Sequence, residues 1–291
     1  MPDAPRINMQ DGIYHVIARG NRKGNLFDDD RDRISFSRIV RNAVGSHGVR
    51  VFAQCLVGNH YHQVAQTPRA NLPQFMHDVN GQFAKYSNAR HGRIGHLFNE
   101  PYKPILIDNT IYLRVAIGYV VMNAVNHGFV ESPEDWRWSS YRATVGLETA
   151  PDYLCLDWLD DVFPAPTRAA SQSLFREYLT ARTWVEGEEW LTKPAIGSTE
   201  FEREVREHIG ATMFMSRLPR SYRLINRPPL VELFPVHLSK VQRDRQMLRA
   251  HVVHAYSISE IARALSMHPG SVSRIVAALR RKARGEASDA T

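Results

Sequence analysis

The chain has 291 residues, 43% of them apolar, which suits one large domain or two or three smaller ones around buried cores. Lys and Arg number 37 against 30 Asp and Glu, a formal net charge of +7 that favours a polyanionic partner. With only Cys55 and Cys155 there is no disulfide framework or cysteine-rich zinc site; apolar stretches fall short of the roughly 20 residues of a membrane helix, and MPDAPRINMQDG has no signal-like apolar segment, so a cytoplasmic protein without a membrane span is expected.

In chain order, IYHVIAR (13–19) reads as a strand closed by the turn residues GNRKGN, and DRDRISFSRIVRNAV as an amphipathic helix ending near Gly45 and Gly48. VRVFAQCLV and HYHQVAQT read as two antiparallel strands joined by a two-residue Gly-Asn link. NLPQFMHDVNGQFAKYSNAR has helical spacing through Leu72, Phe75, Met76, Val79, Phe83 and Tyr86. KPILID is strand-like, and an apolar helix follows it, capped by Asp108 or Asn109 and stopped near Gly128. A β-α-β-β-α-β order of this kind predicts one sheet with helices packed on it, an α+β fold of ferredoxin-like (RRM-like) type.

After DWRWSSYRA the strand signals stop, and short helices with proline-bearing links are expected. The last fifty residues carry most of the excess positive charge, from Arg243 to Arg284. There YSISEIARALSMHPGSVSRIVAALRRKAR reads as two helices, with a Ser257/Glu260 capping box and Pro269 in the first turn of the second. Ile258, Ile261, Ala262 and Leu265 would face Val272, Ile275, Val276 and Leu279, leaving Ser271, Ser273, Arg274 and Arg281 open. Two readings remain: a helix-turn-helix whose second helix enters a DNA groove, or a helical hairpin with a solvated basic face.

The segment GNHYHQV is the sharpest local signal. Alternate residues of a strand share a face, so His60 and His62 point together while Tyr61 and Gln63 point away. Adjacent imidazoles can ligate one metal ion, but an HxH pair is equally compatible with hydrogen-bonded or surface histidines. In the apolar helix, Tyr119 and Asn123 are four apart and share a face. Alone they read as an ordinary buried phenol and amide; beside the histidines they would add an amide oxygen and a phenol hydroxyl to one constellation.

The ordered motifs YHVIARGN, CLVGNHYHQV, NGQFAKYSNARHGRIGHLF and GYVVMNAVNHGFVESPEDWRWSSYRA resemble the single-tyrosine HUH transposases, especially the REP-associated tyrosine transposases, over roughly residues 8–146. The resemblance implies an HUH nuclease domain, placed at 1–146; the helical reading of the rest of the chain gives a linker region at 147–235 and, in the first of the two readings above, a helix-turn-helix DNA-binding domain at 236–291. It implies Tyr119 as nucleophile and His60, His62 and Asn123 as ligands of Mg²⁺ or Mn²⁺. The reaction implied is cutting and rejoining of single-stranded DNA beside hairpins through a 5′-phosphotyrosine.

DNA contacts are expected from Arg19, Asn21, Arg22, Lys23 and Lys103, and from Ser271, Ser273, Arg274, Arg280, Arg281 and Lys282 if the C-terminal helices hold duplex DNA. For the first group, solvated loop or surface positions remain an alternative. Trp136, Trp138 and Tyr141 are base-stacking candidates, with core packing the plainer reading. A monomer or homodimer associated with the bacterial nucleoid would follow.

The chain departs from the family pattern at Gly58, Tyr61, Glu100, Pro101 and Asn126, the last replacing an arginine. These departures keep open a DNA-binding regulator built on a nuclease fold that no longer cuts. A replication or mobilisation relaxase ranks last, since neither a second catalytic tyrosine nor a helicase motif is visible.

Overall fold

The computed structural model describes residues 7–100, 102–108, 111–182, 184, 191, 193–212, 227–235 and 238–283. The chain divides between Phe201 and Glu202 into two compact units. Residues 147–201, placed by sequence in a linker region, thus belong with the first unit.

In the first unit, strands β1 (Gly12–Arg19), β2 (Arg50–Leu56), β3 (His60–Thr67) and β4 (Lys103–Ile107) alternate with helices α1 (Asp30–His47) and α2 (Leu72–His91). The sheet order β2-β3-β1-β4 with antiparallel neighbours is the ferredoxin-like arrangement expected from sequence. Val57 donates its N–H to His60 O at 3.1 Å, closing the Gly58-Asn59 hairpin turn. At the end of α1, Gly48 takes the left-handed conformation (φ 64°) and donates to Val44 O, the usual glycine stop.

Register decides the two faces. Ile17 opposes His62, Arg19 opposes His60, and Cys55 opposes His62 from the other side, so these side chains share one face with His15 and Lys103. Tyr14, Val16, Tyr61 and Gln63 occupy the opposite face. On that second face α1 and α2 pack through an aromatic cluster: Phe36 stands 4.7 Å from Tyr61 and 5.1 Å from Phe83, between ring centroids. Buried Tyr61 donates its hydroxyl to Asn80 Oδ1 at 2.7 Å.

The first face is covered by α3 (Ile111–Val121), whose Leu113, Ala116, Ile117 and Val120 meet Ile13, Ala53, Val64, Ile105 and Ile107. Trp158, Phe163, Phe175 and Leu179 join the same core from α6 (Trp158–Val162), α7 (Arg168–Thr180) and their connection, after the short α4 (Asn123–Asn126) and α5 (Tyr141–Thr144). Full burial of side chains this size contributes about 2 kcal/mol each, which explains why this stretch packs as body and not as linker.

Three expectations change. A fifth strand, β5 (Ala195–Ile196), adds parallel to β4 where no strand was expected; two residues show no period, and the open edge of β4 supplies the pairing. The apolar helix does not run unbroken to Gly128: Met122 (φ −85°, ψ −3°) separates α3 from α4. Of the expected caps, Asn109 lies outside the described residues, and Asp108 Oδ2 instead accepts the Ser198 N–H at 3.0 Å.

In the second unit, helices Lys240–Val252, Ile258–Ala264 and Pro269–Ala283 share a core of Met247, Ala250, Ile261, Ala262, Val272 and Val276. The Ser257/Glu260 capping box forms as expected, and Ser239/Gln242 forms another. Burial would raise the Glu260 pKa, but bonds from Ser257 and Arg227 outweigh it and hold the carboxyl at about 2.

A buried ion-pair cluster ties the start of α1 to the end of α2. Asp29 caps α1, accepting Asp32 N–H at 3.2 Å; Asp32, with a side chain 0% exposed, accepts the Asp28 N–H and bonds Arg90 and His91. Burial alone would raise the Asp32 pKa; the Asp28 N–H, Arg90 and His91 bonds overcome it and leave it below the ordinary carboxylate value. Asp32 therefore contributes stability that is fully present above the ordinary carboxylate range and is lost as pH falls through its folded value. Replacing Asp32 by Ala removes the buried acceptor shared by the Asp28 N–H, Arg90 and His91, while Arg90 keeps its pair with Asp29, and is expected to cost about 1–3 kcal/mol in urea denaturation, with the difference from wild type shrinking in acid. A variant as stable as wild type at pH 7 would contradict this role.

Candidate active site

His60 and His62 do share a face, at a ring separation of 4.9 Å, and both are buried at 3% exposure. They lie beneath the C-terminal half of α3, where the Tyr119 ring stands 5.6 Å from that of His62. Asn123, the first residue of α4, is fully buried and close enough to His60 to influence its ionisation. The four residues named from sequence are thus neighbours in the fold.

Two further histidines join them. His15, on β1, is fully buried, stacks 5.0 Å from His62 and shares a 2.8 Å hydrogen bond between its Nε2 and His62 Nδ1. Its ring lies 5.8 Å from Tyr119. His127, just after α4, stands 5.1 Å from His60. His15 was missed because its place in the site comes from strand register, although YHVIARGN contains it; His127 sits unassigned within NAVNHG.

The electrostatics keep His15, His60 and His62 neutral. Burial, followed by repulsion from Lys103, lowers the His15 pKa to about 3. His60 also falls to about 3, through burial, then Arg19 and His127, with Asn123 acting weakly in the other direction. Burial and the surrounding His15, His60, His127 and Arg19 push His62 well below its usual value. Neutral imidazoles keep a lone pair each, the form that ligates metals.

The pattern of satisfied and unsatisfied atoms is specific. His60 Nδ1 pairs with Asn59 Oδ1 at 2.7 Å, which assigns the ring proton to Nδ1 and leaves Nε2 as acceptor. Buried His60 Nε2 and both side-chain polar atoms of Asn123 have no hydrogen-bond partner among the described residues. Such buried orphans are costly unless something else binds them, and two imidazole nitrogens with an amide oxygen form a donor set that fits a divalent cation.

The expected DNA contacts divide. Arg19 lies beside His60 in register, and Lys103 opens β4 opposite Ile17 while donating Nζ to Leu191 O at 2.7 Å. Asn21 has a structural task, its side chain donating to His96 O at 3.3 Å and its N–H to Leu97 O at 2.8 Å. Arg22 and Lys23 are exposed and hold positive φ (52° and 62°). Ser273, Arg274, Arg280 and Arg281 are exposed and Ser271 half-buried on the last helix of the second unit; the Lys282 side chain lies outside the described residues.

Tyr141 packs in the core, and Trp136 stacks on Phe129 while donating Nε1 to Leu56 O, which agrees with the plainer reading of both. Asp28, Asp32 and His91 also bring potential ligand atoms within 4.8 Å of one another. Those carboxylates are already bonded to Arg90 and Arg93, so the cluster is an ion-pair clamp with little capacity left for a cation.

Residues 8–123 match the family model described as "Transposase IS200 like", a span running from before β1 through Asn123 and holding all four of His60, His62, Tyr119 and Asn123. The family resemblance seen in the sequence is borne out over this segment. Among solved structures, the chain is similar to one described as "Structure of the REP associates tyrosine transposase bound to a REP hairpin", with 18% identity, 54% of this chain and 93% of that chain covered, and a TM-score of 0.44. No curated protein matches.

Tyr119 is positioned by its neighbour. A Cβ on Gly118 would fall 2.1 Å from the buried Trp184 ring, so only glycine lets α3 sit against that indole. Gly118→Ala is expected to destabilise the first unit by about 1–3 kcal/mol in thermal unfolding. Unchanged stability would mean that the indole yields without cost.

Proposed function

We propose that the chain is a metal-dependent single-strand DNA endonuclease and strand transferase, a transposase acting through Tyr119 beside hairpins. The observation that carries the reading is the burial together of Tyr119, two lone-pair imidazoles and an unsatisfied Asn123 amide, on a segment that matches an IS200-like transposase model. The hairpin preference follows from the sequence resemblance alone.

In this reading His60 Nε2, His62 Nε2 and Asn123 Oδ1 hold Mg²⁺ or Mn²⁺. When bound, the ion would supply charge neutralisation at the non-bridging oxygens of the scissile phosphate. Tyr119 Oη attacks phosphorus and loses its proton, since a phenol of pKa about 10 is a poor nucleophile while protonated. The bond to the 3′-oxygen breaks, that oxygen takes a proton, and the 5′-phosphate stays on the tyrosine. Because the ester energy is kept in the new bond, a 3′-hydroxyl can reverse the step and join strands without ATP.

His15 acts behind the ligands. With His62 Nε2 reserved as a lone pair, His62 Nδ1 carries the proton and donates to His15 Nε2, which fixes the ring. Asn59 does the same for His60. The exposed basic face of Arg274, Arg280 and Arg281 favours an added contact to duplex DNA, whose affinity would fall steeply with salt.

The deciding experiment incubates the protein with labelled, hairpin-rich single-stranded oligonucleotides and Mn²⁺ and resolves the products on a denaturing gel. A protein-sized labelled band is expected, absent in Tyr119→Phe, which should still bind DNA; a Tyr119→Phe band would remove the tyrosine from the reaction. No band from wild type, with tight duplex binding in the same samples, would favour the non-cutting regulator. By calorimetry without DNA, His60→Ala should abolish Mn²⁺ binding and His15→Leu weaken it about 10–100-fold. Wild-type affinity in His15→Leu would leave His15 a packing residue.

A further inference from the structure

On the opposite side of the sheet from the histidines, α1 and the segment after Trp136 enclose a cleft of about 490 Å³. It lies entirely within the first unit and has three chemically distinct parts. One wall is aromatic and apolar, built from half-buried Trp138 with Leu56 and the exposed Ile34.

The floor is neutral and hydrogen-bonding. Buried Gln54 donates Nε2 to Tyr153 Oη at 3.4 Å and accepts from Gln63 Nε2 at 3.2 Å. The rim is cationic, with Arg38 exposed on α1 and Arg137 lying 4.7 Å above the Trp138 ring.

The charges on the rim are not equivalent. Arg41 is paired with Asp152 at 2.6 Å and Glu148 with Arg142 at 3.0 Å, so neither adds a free charge. Arg137 approaches Asp30 only at 3.7 Å, and Arg38 makes no ion pair among the described residues.

We infer that this cleft binds one unstacked nucleotide of the single-stranded substrate: the base against Trp138, its edge toward Gln54 and Tyr153, its phosphate toward Arg38 and Arg137. A flat apolar wall, an uncharged polar floor and a cationic rim match the three parts of a nucleotide, and the volume is that of a small-molecule site. A duplex base pair cannot enter a concave site edge-on, which restricts the occupant to an unpaired base.

Position links the cleft to the reaction. Gln54 and Gln63 flank Cys55 and His62 along β2 and β3 and point to the other face, so the cleft floor and the histidines stand on neighbouring residues of the same two strands. The inference rests on the reading of the chain as a single-strand DNA enzyme.

The test uses the full chain carrying Tyr119→Phe, and hairpin oligonucleotides with 5-iododeoxyuridine placed at successive unpaired positions. After irradiation, crosslinked peptides are mapped by mass spectrometry, and affinity is read by fluorescence anisotropy. One oligonucleotide position should crosslink to Trp138 or Tyr153, and Trp138→Leu should weaken binding about ten-fold. Arg38→Ala, on an exposed helix face, should weaken it about three-fold without the risk of misfolding.

Crosslinks confined to other peptides, with Arg38→Ala binding as wild type, would overturn the pocket. A wild-type protein that forms the tyrosine adduct while showing that result loses the pocket alone. Crosslinking at Trp138 with no adduct from wild type keeps the pocket and removes the cutting chemistry.

Discussion

Imidazole burial between one sheet face and one helix is the constraint from which the rest of the first unit follows. A buried histidine must be neutral, and neutral imidazoles need partners for each nitrogen. Here His15 and His62 satisfy one nitrogen of each other and Asn59 satisfies one nitrogen of His60, which leaves His60 Nε2 and the Asn123 amide among the unsatisfied atoms. Burial beneath the apolar cover of α3 imposes the neutrality. Stability and proposed chemistry thus draw on the same burial.

Much of this was legible in the sequence because it is local. Period-two alternation put His60 and His62 together, four-residue spacing put Tyr119 near Asn123, and the Gly58-Asn59 turn fixed the hairpin between them. The βαββαβ order could be read from periodicity and stops such as Gly48. What escaped depends on contacts between distant segments. His15 reaches His62 only because Ile17 pairs with it, and Trp158 and Phe175 belong to the core only because β4 and α3 leave a face to cover.

The Asp32 cluster escaped for the same reason: Arg90 and His91 are 58 and 59 residues away along the chain and read simply as the end of a helix. It also shows why residue types alone mislead. Two carboxylates and a histidine within ligand distance resemble a cation site, yet the guanidinium groups are already there. The histidine site has fewer charges and more unsatisfied atoms, which leaves it more capacity to bind a cation.

The segment that builds the cleft wall also closes one border of the sheet. Leu56 N–H meets Trp138 O, Ser140 N–H meets Gln54 O, and Cys155 N–H meets Val51 O, so the outer ladder of β2 is already occupied by the chain's own backbone. At the other border β5 spans two residues. A second copy cannot prolong this sheet by strand addition at β2, so fibre-like growth from that side is blocked and self-association has to use helical or loop surfaces.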